Sequence, residues 1–365
     1  MRPTEINPDT YVEQLQQKYH FVKQEFAKFS MPELETFESD PLHYRYRAEF
    51  RLWHDGDELH HVMFDQTTKE KYQVHNFPPA CQLINDVMKD LIAELKINDV
   101  ARRKLFQIDY LATLSGEIVA SLLYHKALGD DWVTEIQTIL KKLRQSYKLD
   151  IIGRAKKQKI VLDKDYATET LTINKQAFTF QQIENSFTQP NAKVNIKMIE
   201  WAIDVTKESE GDLLELYCGA GNFSVPLAQN FKKVLATEIS KTSVSAAQQN
   251  IKDNKIDNLK IIRMSSEEFV QAQQGVREFR RLEGIELEDY DCKTVLVDPP
   301  RAGLDAATVD MIKVYKNIVY ISCNPETLKH NLDILLKTHS VIRFALFDQF
   351  PYTHHTECGV YLQRL

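Results

Sequence analysis

The first apolar pattern in the chain has a helical rhythm. Between Asp9 and Phe29, Leu15, Tyr19, Val22, Phe26 and Phe29 recur at alternating steps of four and three, which lays one stripe along a helix. Asp9 or Thr10 is placed to cap it, and helix 9–29 is expected to pack on a domain. The period then changes to two. In YRYRAEFRL, residues 44–52, Tyr44, Tyr46, Ala48, Phe50 and Leu52 fall on one face of a strand, and Arg45, Arg47, Glu49 and Arg51 on the other. A hairpin follows at LFQIDYLATLSGEIVASLLYH, turning at Ser115-Gly116. If Leu114 pairs with Glu117, counting outward sets Phe106 opposite His125.

Past ETLTINKQAFTFQQI the rhythm changes again. Pro190-Asn191 opens a helical pattern carried by Val194, Met198, Ile199, Ala202 and Ile203. From there short apolar strands alternate with helices, each strand ending in a turn that carries glycine, proline or acid. The order predicts an α/β chain with a boundary near residue 180: an N-terminal α+β domain over 1–180 and a C-terminal Rossmann-like doubly wound domain over 181–365.

Bulk composition narrows this only slightly. The 365 residues are 43% hydrophobic and 27% charged, ordinary for a globular chain of two domains. No apolar run approaches the roughly 20 residues of a membrane helix, and the start MRPTEINPDTYVEQ lacks a signal-peptide pattern, so a soluble cytoplasmic protein is expected. Cys81, Cys218, Cys292, Cys323 and Cys358 are odd in number and scattered, at no zinc or iron-sulfur spacing. Neither metal nor disulfides are expected.

The net charge of -6 argues mildly against a phosphate-gripping surface, but binding needs only a local one. The face of Arg45, Arg47 and Arg51 is either a solvated charged face or a phosphate-binding ribbon, for which the guanidinium fork is suited. Phe106 and His125, just after Arg102-Arg103-Lys104, are either core or a platform for unpaired bases. The clusters KKLRQSYK (141–148) and GRAKKQK (153–159) each read as solvated surface, and together make residues 40–160 locally basic.

In GDLLELYCGAGNFSVPLAQNF, Gly219 and Gly221 let backbone approach a ligand. Glu238 ends the next strand, where an acid meets the ribose hydroxyls of an adenosine. The third glycine of a dinucleotide turn is missing, since position 224 is Ser, which favours S-adenosylmethionine over NAD. KTVLVDPPRAGL ends a strand on Asp298, and IVYISCNPETL ends one on Cys323 before a helix start whose amides favour a thiolate. A thiolate at a methyl-donor cleft suits one chemistry in particular. Adding to carbon 6 of uracil, it makes carbon 5 nucleophilic, and a base must then remove the carbon 5 proton. His354, His355 and Glu357 in FDQFPYTHHTECGVYL are the candidates.

SFTQPN, ELYCGAGNFS, VDPPRAGL, ISCNPETL and FDQFPYTHHTE resemble the motifs of the RNA 5-methyluridine methyltransferase family, and YRYRAEF and KLFQID extend the likeness nearly end to end. The resemblance implies cofactor contacts at Gln189, Tyr217, Gly219, Gly221, Asn222, Glu238 and Asp298, a nucleophile at Cys323 and a base at Glu357. It also implies that Phe106 and His125 contact an opened T-loop, so that the substrate is the flipped uridine at position 54 of tRNA, with other RNAs carrying a similar loop as further candidates. Relatives acting on ribosomal RNA carry an extra barrel and an iron-sulfur cluster; the sequence shows neither pattern, which points to the tRNA branch. Two other readings remain open here. One is a tRNA-binding folding factor with methylation secondary, and the other is an oxidoreductase using the glycine turn and Glu238.

Overall fold

The computed structural model describes residues 2–65 and 67–365. The chain divides into two units: one of residues 1–8, 40–170 and 182–192, the other of residues 9–39, 171–181 and 193–365. Helix α1 (Tyr11–Glu25) and strand β1 (Leu34–Phe37) therefore belong with the C-terminal half, although they precede the first unit in sequence. Helix α1 buries Leu15 and Val22 of the apolar stripe, and the Phe26 ring at its end meets Phe344 edge-on at 5.2 Å. Lys18 is buried on the same helix because its ammonium donates to Asp348 Oδ1 at 2.8 Å and the Phe350 carbonyl at 2.7 Å. Thr10 occupies the cap position without a side-chain hydrogen bond.

The first unit is a seven-stranded sheet flanked by helices. Its strands are β2 (Arg47–Asp55), β3 (Glu58–Phe64), β4 (Lys71–Gln73), β5 (Leu105–Ala112), β6 (Glu117–Tyr124), β7 (Lys148–Ala155) and β8 (Gln158–Val161), in the spatial order β4-β3-β2-β5-β6-β7-β8. Helices α2 (Gln82–Lys96), α3 (Asp99–Arg102) and α4 (Asp130–Leu143) complete it. Alternation decides which face is buried. Phe50, Ile108, Tyr110, Leu122 and Ile151 join Ile84, Leu91, Trp132 and Ile136 from α2 and α4 in one core. The opposite face presents Glu49, Arg51, Trp53, Gln107 and Asp109.

A two-stranded ribbon, β9 (Tyr166–Ile173) and β10 (Gln176–Ile183), carries the chain onward. Its residues 171–181 group with the second unit, where Thr179 and Asn254 exchange two hydrogen bonds of 2.8 and 2.6 Å.

The second unit begins with α5 (Ala192–Thr206), whose Val194, Met198, Ile199, Ala202 and Ile203 are all buried as the apolar pattern requires. Next come β11 (Asp212–Leu216), α6 (Ser224–Leu227), β12 (Val234–Glu238), α7 (Lys241–Asp253), β13 (Leu259–Arg263) and α8 (Ser266–Gln273). They are followed by β14 (Cys292–Val297), α9 (Ala306–Ile312), β15 (Asn317–Ser322), α10 (Pro325–Leu335), β16 (His339–Phe347) and β17 (Glu357–Arg364). The eight strands lie in the order β1-β16-β17-β15-β14-β11-β12-β13. All neighbours are parallel except β17, which runs antiparallel between β15 and β16. This is a Rossmann-like α/β sheet with one reversed strand. The reversal has a chemical consequence: the start of β17 lies beside the ends of its parallel neighbours, where such sheets bind ligands.

Candidate active site

Strand register alone gathers the predicted catalytic groups. Leu216 pairs with Thr237 and with Val297, and Val297 with Tyr320. One residue further along, Tyr217 therefore stands beside Glu238 on one side and Asp298 on the other. On the reversed strand Ser322 pairs with Cys358, so the next step sets Cys323 opposite Glu357. Glu238, Tyr217, Asp298, Cys323 and Glu357 thus form a row across the edge of five adjacent strands.

The loops of this row are held to one another. Asn324 caps α10 by accepting from the Glu326 amide, with Pro325 at the first helical position. Its Nδ2 donates to the Arg301 carbonyl at 3.0 Å, which ties the cysteine loop to the loop after Asp298. Gly303 lies in that second loop at φ 76°, where a Cβ would meet Thr327 at 2.8 Å.

Charge on Asp298, Cys323 and Glu357 is disfavoured. Burial pushes the Asp298 carboxyl up to about 7. Burial and the Asp298 charge push Glu357, 3% exposed, well above the carboxylate range. The Cys323 thiol is half-buried and is pushed up to about 11 by burial, Glu357 and Asp298. The expectation that nearby helix amides favour its thiolate is corrected: desolvation and two acidic neighbours outweigh them. His354 is exposed, and its ring lies 4.2 Å from that of half-buried His355. Glu357 is the candidate base that register sets against the cysteine.

The cofactor turn has the backbone that a close-fitting ligand demands. Tyr217, Gly219 and Gly221 adopt φ of 62°, 55° and 84°. A Cβ at Gly219 would project into open space, so the turn leaves a cradle that a side chain would fill. Glu238 holds the turn, accepting from the Gly219 amide at 3.1 Å and the Ser240 amide at 2.7 Å. Tyr217 Oη lies 2.6 Å from Ser266 Oγ, and Asn222 exchanges side-chain hydrogen bonds of 2.8 and 2.9 Å with Asn195. Gln189 lies in the segment 182–192 of the first unit.

One residue beneath this row was not singled out from sequence. Glu215 is 1% exposed, and neither its carboxyl oxygens nor the nearby Ser224 Oγ has a hydrogen-bond partner among the described residues. Burial pushes Glu215 up to about 8, with the Asp298 and Glu238 charges adding. Orphaned polar atoms beneath a glycine cradle suit the polar end of S-adenosylmethionine. The signal available in sequence is a lone acid inside the apolar strand LLEL.

The first unit holds a second predicted group. Phe106 and His125 stack with ring centroids 3.8 Å apart and planes 12° from parallel. The register expected for this hairpin is one residue off: Thr113 to Gly116 form the turn, and Ala112 pairs with Ile118. Phe106 reaches His125 because it is a bulged residue, where pairing shifts between Leu105 and Gln107. Two grooves flank the stack. One, of 710 Å³, runs past Arg103 and Lys104; the other, of 620 Å³, past Asp109, Lys126 and Lys156.

The arginine face does not act as one. Arg45 precedes β2 and is largely buried, donating to the Arg47 carbonyl at 3.1 Å. Arg47 donates to the Ser186 carbonyl at 2.7 Å and to Glu49. Only exposed Arg51 joins the stack, its guanidinium 5.4 Å from the Phe106 ring centre. Of the basic clusters, Arg144 pairs with Asp150 and Asp163, and Arg154 forks onto Glu184. No ion pair engages Arg103, Lys104 or Lys156 among the described residues.

Comparison with known proteins decides the class. The family model described as tRNA (Uracil-5-)-methyltransferase matches residues 10–365. The chain belongs to that family. This methyltransferase is 67% identical over 364 residues to the tRNA/tmRNA (uracil-C(5))-methyltransferase of Pseudoalteromonas atlantica, covering 100% of both chains. It is 58% identical to that of Vibrio parahaemolyticus, again over 100% of both. A solved relative, the Pyrococcus abyssi tRNA (uracil-54, C5)-methyltransferase in complex with S-adenosyl-L-homocysteine, superposes with a TM-score of 0.72 at 20% identity, over 96% of this chain and 83% of that one, and so shares the fold. The methyltransferase is thus an S-adenosylmethionine-dependent enzyme acting on uracil carbon 5 in tRNA. No helix among the described residues is long and apolar enough to cross a membrane, and no group of three or more His, Cys, Asp or Glu is placed to hold a metal.

Proposed function

We propose that this methyltransferase modifies the uridine at position 54 in the T-loop of tRNA, flipped out of its loop, through a covalent bond between Cys323 and carbon 6 of the base. The supporting observation is the register that carries Cys323 opposite Glu357, within the field of Asp298. S-adenosylmethionine, when bound, would supply the electrophilic methyl group, the electron pair of its methyl–sulfonium bond staying on sulfur as that bond breaks. Glu238 takes the ribose hydroxyls, while Tyr217, Asn222 and Asp298 line the rest of the cofactor site, with Gly219 and Gly221 giving it room.

The Cys323 thiol gives up its proton to solvent, the sulfur bonds to carbon 6, and the electron pair of the 5,6 double bond moves toward carbon 5 and oxygen 4. Carbon 5 then takes the methyl group. The Glu357 carboxylate accepts the carbon 5 proton, the freed pair reforms the double bond, and the carbon–sulfur bond breaks. A carboxyl whose proton affinity is raised by burial is a stronger base once ionised, which suits a carbon acid.

The first unit binds the RNA. Phe106 and His125 contact the opened loop and Arg51 lies beside them, while Arg45 and Arg47 brace the same face. Other RNAs bearing a similar loop would be read the same way. The test is mass spectrometry of tRNA nucleosides from cells lacking the protein. The 5-methyluridine is expected to vanish, and to return with the wild-type gene but not with Cys323→Ala. Its persistence in the deletion, or restoration by the cysteine variant, overturns the proposal.

A further inference from the structure

The two grooves beside the Phe106–His125 stack each mix charges of both signs. The 710 Å³ groove carries Arg103 and Lys104, cations without carboxylate partners, along with Arg102, Asp57 and Asp99. The 620 Å³ groove sets one acid, Asp109, among Lys126, Arg154 and Lys156. Asp109 is half-buried on β5, three residues past Phe106, opposite Ser121 on β6 and Glu49 on β2. Gln107 Nε2 donates to its Oδ1 at 2.7 Å.

Two cations whose charge reaches Asp109, Arg154 and Arg47, are engaged elsewhere. Arg154 forks onto Glu184 at 2.6 and 2.5 Å, and Ser121 donates to the same carboxylate at 2.8 Å. Arg47 holds the Ser186 carbonyl and Glu49. Asp109 has no ion pair among the described residues, and burial pushes its carboxyl up to about 6, with the Glu49 and Glu184 charges adding. An incompletely solvated carboxylate in a nucleic-acid groove repels phosphate and attracts N–H donors. Two oxygens side by side match one base edge best: guanine offers N1–H and N2–H2 together, whereas adenine and cytosine offer one amino group beside an acceptor.

We propose that Asp109 is a base-reading residue, its carboxylate accepting the Watson–Crick edge of a guanine of the RNA that lies against the Phe106–His125 stack. The assignment rests on the reading that this face binds the substrate loop, and adds to it a determinant of sequence. Asp109 is a specificity residue and takes no part in methyl transfer.

The experiment measures kcat/KM on an RNA hairpin carrying the T-loop and its closing pairs, with each guanine replaced in turn by inosine, which lacks the N2 amino group. Wild-type protein is expected to lose about 5- to 150-fold at one guanine. Asp109→Asn and Asp109→Ala should show a similar loss on the unmodified hairpin, carried by KM with kcat kept, and no further loss on that inosine hairpin. Two results overturn the proposal: an inosine penalty undiminished in both Asp109 variants, or no penalty at any guanine. Phe106→Ala, run alongside, separates the layers. If it too binds RNA as wild type does, the underlying reading of this face fails; if it is impaired while Asp109 is indifferent, only the base-reading role fails.

Discussion

Both units are built on a sheet, yet they place their functional groups on opposite parts of it. The second unit uses the strand ends, where Asp298, Cys323 and Glu357 are stripped of water and their charged forms resisted. The first uses a broad face, where Arg51, Phe106 and His125 keep access to solvent beside Arg103 and Lys104. The difference matches what each is proposed to do. Proton transfer from carbon needs groups with shifted affinities at fixed positions, whereas gripping an RNA loop needs exposed cations and flat rings.

The sharpest way to break this division is Cys323→Ala. Methyl transfer is expected to fall below detection in a radiolabel assay while RNA binding by filter retention is kept. Loss of both together would mean that the two sheets are not functionally separate. Next in size is Phe106→Ala, for which stacking predicts a 5- to 150-fold weaker RNA affinity, corresponding to about 1–3 kcal/mol, with S-adenosylmethionine affinity by calorimetry unchanged. Unchanged RNA affinity would move the binding face elsewhere.

Glu215→Gln probes the cost of the buried acids. The native carboxyl holds its proton up to about 8, against an ordinary value of 4.5 in the unfolded chain. Between these values the native state binds the extra proton, so stability falls as pH rises from about 4.5 to about 8 and stays lowered above. The variant, neutral throughout, should melt roughly a few degrees higher than wild type at pH 8.5 and match it near pH 4.5. A gain that does not depend on pH would assign the effect to packing. Smallest is Lys104→Ala, expected to weaken RNA binding a few-fold and to lower the salt slope by roughly 0.7–0.9.

How far the sequence announced these features depends on what positions them. Cys323 and Glu357 stood out because each closes or opens an apolar strand beside turn formers, and the proposed reaction needs such a pair. What the sequence did not disclose is that β17 runs antiparallel between β15 and β16, the feature that makes them neighbours. Strand β1 was also missed, being four residues paired with β16 across some three hundred positions. Phe106 and His125 were brought together by a count that was off by one; a bulge, invisible to alternation, restored the contact. The arginines of residues 45–51 looked equivalent by period, but nearby carbonyls and Glu49 claim Arg45 and Arg47 and leave Arg51 beside the stack. Local pattern thus foretold which residues end the strands better than it foretold a surface assembled from distant segments.

The central claim is that Cys323 and Glu357 form one device, the first making the covalent bond and the second permitting its release. Glu357→Gln incubated with T-loop RNA and S-adenosylmethionine, then digested and mapped by mass spectrometry, tests it directly. An adduct that survives denaturing gels is expected, with a methylated uracil attached to the peptide containing Cys323. Normal turnover without an adduct, or an adduct on another cysteine, would contradict it.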